Sequence, residues 1–167
     1  MELKPQRRVV TTHKGTKSAV MIDDTVLPNA GPGGIADRVL WQSHSFPADV
    51  SAAQEDTSEP SMGFYAGGST IRIVDLPPKS TGFNHRTASL DYGIVMEGSV
   101  ELVLDDGSKT ICNAGDVVVQ RATMHQWNNP TDKKTRIVFV LMPAKAPVVD
   151  GVELGDHGLP KLPGQKD

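Results

Sequence analysis

One cysteine, Cys112, occurs in 167 residues, so no disulfide can close within the chain and nothing points to an oxidising compartment. Excess positive charge is also missing. The 17 basic and 20 acidic residues are interspersed and sum to a formal net charge of -3, which gives no electrostatic footprint for nucleic acid or an anionic membrane surface. No apolar run approaches the ~18 residues a membrane span needs, and the charged start MELKPQRRVV is not followed by the apolar segment of a secretory leader. The expectation is a cytoplasmic protein with a small-molecule substrate, and neither nucleic acid nor membrane as partner. Long segments with a 3.6-residue apolar period are absent as well. What remains is 16 glycines, 12 prolines and short Val-rich runs, the composition of an all-β domain full of turns and long enough to bury one core.

Along the chain, residues 7–12 and 18–22 read as two strands around a turn at residues 13–16, which contains His13. PNAGPGG (28–34) is a loop by composition, and ADRVLWQSHSF reads as a strand with Trp41 directed inward. Residues 47–62 are poor in core formers and acidic at Glu55, Asp56 and Glu59; they read either as a lid or as a solvated insertion. STIRIVDL (69–76) alternates as a strand that Pro77 and Pro78 stop. DVVVQ (116–120) and RIVFVLM (136–142) follow, the latter apolar enough to be buried on both faces, and Cys112 falls on a strand as a small buried residue. This divides the chain into a barrel over residues 1–142 and a Pro/Gly-rich arm or tail over 143–167 that carries His157.

The centre of the chain is residues 82–129. Two segments, GFNHRTASLDYGIVMEG and GDVVVQRATMHQWNN, flank VELVLDDGSKTICNA, whose two apolar runs around Asp-Asp-Gly-Ser are a β-hairpin signature. The flanking segments are expected as neighbouring hairpins of one sheet. Folding that sheet into a small barrel would carry His85, Asp91 and His125 to one interior point.

On these residues the chain resembles a small cupin of the conserved-barrel type. The first family motif, G-x5-H-x-H-x3-4-E-x6-G, aligned on Gly98, places His85 at the first histidine and Asp91 at the glutamate, with Thr87 at the second histidine and Lys79 at the opening glycine. The second, G-x5-P-x-G-x2-H-x3-N, matches at Gly115, His125 and Asn129 but is one residue short, and Arg121 and Thr123 fall near its proline and glycine. The wording HRTASLDYGIVMEG is also similar to a subgroup of small microbial and fungal cupins. The resemblance implies a double-stranded β-helix, a jelly-roll-like barrel, and a homodimer formed through the N-terminal strands and C-terminal arm.

It also implies a metal set of His85, Asp91 and His125 for Fe, Mn, Zn, Ni or Cu, one histidine short of the family's full set. The Thr87 hydroxyl is a weak substitute, so the site is expected to hold metal loosely or to work metal-free. The first functional reading is a lyase or isomerase of decarboxylase or dehydratase type, acting on a small organic acid or polyketide-like molecule. In it His85, His125 and Asp91 move protons, and Arg121, ahead of Arg72 and Arg86, holds a substrate carboxylate. Trp41, Thr87, Tyr92 and Trp127 are expected in the pocket wall. An Fe(II) dioxygenase and a non-catalytic ligand-binding barrel are the alternatives. Each site residue also has a plain reading: His85 as a hydrogen-bonded interior histidine, Asp91 as a partner of Arg86, and His125 as a ring packed on Trp127.

Overall fold

A computed structural model describes residues 4–50 and 67–159. The chain begins with an antiparallel hairpin, β1 (Gln6–Lys14) and β2 (Lys17–Val26), laced on its exposed face by Arg7 with Asp23 and on the opposite face by Arg8 with Asp24, where Arg8 also donates to the Leu40 carbonyl of the barrel. His13 sits at the end of β1 opposite Ser18, and not in the turn, because the turn tightens to the two residues between Lys14 and Lys17. The loop expected at 28–34 holds a short β3 (Asn29–Ala30) and a single 3-10 turn. Then come β4 (Ala36–Gln42), β5 (Thr70–Leu76), β6 (Ser80–Thr81), β7 (Ser89–Glu97), β8 (Ser99–Leu104), β9 (Lys109–Asn113), β10 (Val117–Arg121), β11 (His125–Asn129) and β12 (Thr135–Pro143). Of the segment expected as a lid, 47–50 is exposed and 51–62 lies outside the described residues.

Two antiparallel sheets face each other. One has the order β10-β7-β12-β5-β4-β3 and the other β6-β11-β8-β9. The expectation that the two central segments share a sheet is therefore corrected. The β8–β9 hairpin forms as read, but β7 and β10 lie in the six-stranded sheet and β11 in the four-stranded one. The crossover from β7 to β8 turns at Gly98, which has φ 78° and where a Cβ would lie 2.7 Å from the Lys134 carbonyl, so only glycine fits. At the position of the first motif's opening glycine, Lys79 itself takes a left-handed conformation (φ 54°), keeping the turn without the usual residue.

The core is shared equally between the sheets. Leu76, Val95 and Ile137 from the six-stranded sheet meet Val100, Cys112 and Trp127 from the four-stranded one. β12 lies between β5 and β7 but is not buried on both faces. Thr135, Ile137, Phe139 and Leu141 point inward, while Arg136, Val138 and Val140 lie half-buried on the other face. On its other face β4, β5 and β12 are tied together by Asp75, which is 2% exposed and accepts from Arg38 (2.6 Å) and twice from Arg136 (2.6 and 2.9 Å). Burial alone would raise the Asp75 carboxyl, but the two guanidiniums hold it below the usual carboxylate range.

Beyond Pro143 the chain forms a small exposed hairpin, β13 (Val148–Val149) with β14 (Val152–Glu153), and then returns to the barrel. His157 pairs with Arg86 through both backbone bonds (2.9 Å each), Arg86 Nε donates to the Gly155 carbonyl (2.8 Å), and Asp156 accepts from the Ala88 amide (2.7 Å). The described part of the arm is thus pinned across residues 84–88. Among the described residues no helix is long and apolar enough to cross a membrane.

Candidate active site

Between the sheets, beside the apolar core, lies a cavity of about 130 Å³. Period-two alternation brings its walls together. Asp37 comes from β4, Arg72 and Val74 from β5, Asp91 from β7, Gln120 from β10, His125 and Trp127 from β11, and Ile137, Phe139 and Leu141 from β12. His85 and Thr87 arrive on the segment before β7, which the His85–His125 bridge (N to O 2.9 Å in each direction) fixes beside β11. Gly82 allows that approach, since a Cβ there would lie 2.4 Å from the Trp127 carbonyl. Leu159 of the C-terminal arm completes the wall.

The two imidazoles are adjacent, with ring centroids 4.3 Å apart and planes tilted by 55°. Each Nδ1–H donates to the backbone carbonyl two residues earlier, His85 to Phe83 (3.1 Å) and His125 to Thr123 (2.9 Å), which leaves the Nε2 lone pairs as acceptors. Burial, with the Arg72 charge nearby, lowers the His85 pKa; burial and the neighbouring His85 bring His125 down to about 4. Both rings are therefore neutral at pH 7. His125 also packs edge-on to Trp127, at 6.3 Å between centroids, so its plain reading holds alongside the functional one.

Asp91 is 5% exposed, and burial pushes its carboxyl up to about 6 against the neighbouring Ser89 and Thr87 hydroxyls and the charge of Arg72, all of which favour the anion. Oδ2 receives the Thr87 hydroxyl at 3.4 Å, and Thr87 in turn receives that of Ser89 at 2.8 Å. Oδ1 is buried without a partner, and so is Trp127 Nε1. Two polar atoms of cavity-lining residues are thus unsatisfied, the usual mark of a site that a ligand or water completes.

Three expected pocket residues lie elsewhere. Arg121 follows the buried Gln120 on β10 and so points outward, exposed. Tyr92 follows Asp91 on β7 and is 38% exposed on the outer face. Trp41 lies past a register shift between Val39 and Trp41, half-buried and outside the cavity wall. The arginine in the wall is Arg72, while Arg86 ties down the C-terminal arm. Asp37, Phe83, Gln120, Phe139 and Leu159 were not foreseen. Alternation from Val118 points to Gln120, but nothing local in the sequence marks the others.

The donor set does not fit the expected metal triad. Among the described residues no group of three His, Cys, Asp or Glu side chains is placed to hold an ion. The Gln120 amide lies against the His125 ring, its nitrogen 2.9 Å from Nε2 and 2.5 Å from Nδ1, which crowds the space beside the imidazole, and burial favours the neutral acid at Asp91.

Two facing antiparallel sheets enclosing a histidine-lined chamber define a protein of the double-stranded β-helix class. The cupin domain model matches residues 72–141. Over 166 residues the chain is 37% identical to Phomopsin biosynthesis cluster protein D of Diaporthe leptostromiformis, covering 92% of this chain and 87% of that protein. Oryzines biosynthesis cluster protein J of Aspergillus oryzae is 32% identical over 159 residues, 89% of each chain. The chain belongs to the cupin family. A shorter match, 40% over 108 residues, joins 63% of it to 55% of the cupin-domain-containing oxidoreductase virC of Hypocrea virens. Among solved structures, a double-stranded beta-helix protein of Klebsiella pneumoniae aligns with TM-score 0.53 at 16% identity, covering 80% of this chain and 90% of that one. The polyketide cyclase RemF of Streptomyces resistomycificus aligns at 0.52 and 15%, covering 80% and 79%. At these identities the likeness is one of fold.

Proposed function

We propose that this cupin is a proton-transfer enzyme of lyase or isomerase type, working in secondary-metabolite biosynthesis with His85 as base and Asp91 as acid. The observation that carries the reading is the pairing, in one largely apolar cavity, of a neutral imidazole whose Nε2 accepts with a buried carboxyl whose Oδ1 has no partner. His85 Nε2 takes a proton from the carbon beside a substrate carbonyl, and Asp91 gives its proton to the carbonyl oxygen, so an enol forms with no net charge left in the chamber. Returning a proton at another carbon completes an isomerisation; expelling a β-hydroxyl completes a dehydration. His125, against whose ring the Gln120 amide lies, packs on the facing His85 ring and, being neutral, adds no second charge. The names of the biosynthesis-cluster relatives support the metabolic setting.

Phenylacetone in D2O tests this by proton NMR. The full-length protein should speed exchange of the protons next to the carbonyl, chelator should leave the rate unchanged, and His85→Ala should lower it roughly 100-fold. No acceleration by the wild-type protein contradicts the reading. The rate should also fall as pH rises past about 6, where Asp91 loses its proton.

A second reading is supported by the tautomers. Both histidines give Nδ1–H to a backbone carbonyl and leave Nε2 without a proton, the arrangement seen in metal-binding imidazoles, although the third member of the triad is not in place beside them, and several relatives are named oxidoreductases. Metal content and oxygen uptake of the purified protein separate the two. The homodimer is carried as part of this proposal. Tyr92 and Met96 of β7 and Val117 and Val119 of β10 are exposed on one outer sheet face, and light scattering of the purified protein reports whether a second copy covers it.

A further inference from the structure

Among the described residues lining the cavity there is one arginine, and it is already matched by an acid. Arg72 Nε donates to Asp37 Oδ1 at 3.1 Å, and its terminal nitrogen donates to Asp37 Oδ2, a two-pronged pair across neighbouring strands with side chains 9% and 15% exposed. One edge of the guanidinium, Nε with a terminal nitrogen, is therefore filled from within the protein, and its charge is balanced there. A carboxylate entering the chamber must either displace Asp37, leaving that acid unpaired and poorly solvated, or meet a guanidinium whose charge Asp37 already balances, among Phe83, Trp127 and Phe139. It would also face the Asp91 carboxyl. The unpartnered polar atoms of the wall, Asp91 Oδ1 and Trp127 Nε1, are single hydrogen-bonding positions suited to one oxygen of an uncharged molecule.

We propose that the cavity selects uncharged, oxygen-bearing apolar molecules such as aryl ketones, rejects carboxylates of the same shape, and owes this selectivity to Asp37. The proposal rests on the reading of the cavity as the substrate site and narrows it. Decarboxylation drops out, because its substrate would be an anion, and dehydration or double-bond migration remains.

The test is calorimetric titration of the full-length protein at about pH 5.5, where Asp91 keeps its proton and phenylacetate is still an anion, with phenylacetone and with phenylacetate, which share a shape and differ in charge. The wild-type protein should bind phenylacetone and bind phenylacetate at least ~10-fold more weakly. Asp37→Asn, which removes the balancing charge, should gain roughly 10-fold or more for phenylacetate and change little for phenylacetone. Equal or tighter binding of phenylacetate by the wild-type protein overturns the proposal, as does failure to bind phenylacetone; both need no variant to fold. A folded Asp37→Asn that gains nothing for phenylacetate overturns the role of Asp37. Binding is read without turnover, so selectivity with no proton exchange would sink the catalytic reading alone, and exchange without selectivity would sink this one alone.

Discussion

Replacing Asp91 by Asn should make the protein more stable and less active, with a gain that depends on pH in a calculable way. In the fold the carboxyl titrates at about 6, against an ordinary value of 3.8. The folded-state pKa is raised, so the fold binds more protons than the unfolded chain between about pH 4 and 6. Stability is lost as pH rises through that window. The difference of about 2.2 units, at ~1.4 kcal/mol each, is about 3 kcal/mol of strain carried above pH 7 and absent below pH 4. Asparagine has no charge to desolvate and can still accept from Thr87. Urea unfolding of both proteins at pH 4 and pH 8 measures the gain: close to zero at the lower pH and about 3 kcal/mol at the higher, or roughly 6–12 °C in melting temperature. His125 has the opposite dependence, since its folded pKa of about 4 means stability is lost as pH falls from 6.5, but it is present in both proteins and cancels in the comparison. A gain that is the same at both pH values would refute the assignment of a buried, poorly satisfied acid at this position.

Two further outcomes test the frame around the site. Asp75→Ala leaves Arg38, with 0% exposure, without its carboxylate, so it should cost about 3–5 kcal/mol in denaturant unfolding; a loss below 1 kcal/mol would mean that the arginine pair is solvated. Asp156→Ala removes the acceptor of the Ala88 amide, so hydrogen exchange at Arg86, Ala88 and His157 should quicken roughly 5-fold, about 1 kcal/mol, with β12 unchanged; no change would mean that the arm is held by other contacts.

The convergence of His85, Asp91 and His125 was legible because motif spacing fixes it: alternation along β7 and β11 decides which side chains enter the barrel, and the His85–His125 bridge sets the two segments side by side. The chemistry of the wall was less legible. Arg121 and Arg72 look alike in the sequence, and only the phase of each strand sends one outward and the other inward. That Arg72 is bound by Asp37, 35 positions earlier, follows from the β4–β5 register, which no local pattern states. Gln120 on the His125 ring has the same origin, since its partner is set by the turn between β10 and β11. The placement of Gly155–Leu159 against the barrel mouth depends on the returning chain, whose Pro/Gly composition carries no period.

The most direct measurement is a nitrogen-15 NMR titration of the histidine side chains. Two neutral rings carrying the proton on Nδ1 should be seen for His85 and His125 at pH 7, each assigned by its alanine variant, and His125 should stay neutral down to about pH 4. Protonation of His125 near pH 6.5, or an Nε2–H tautomer at His85, would contradict a dry chamber that holds two acceptor imidazoles for proton transfer.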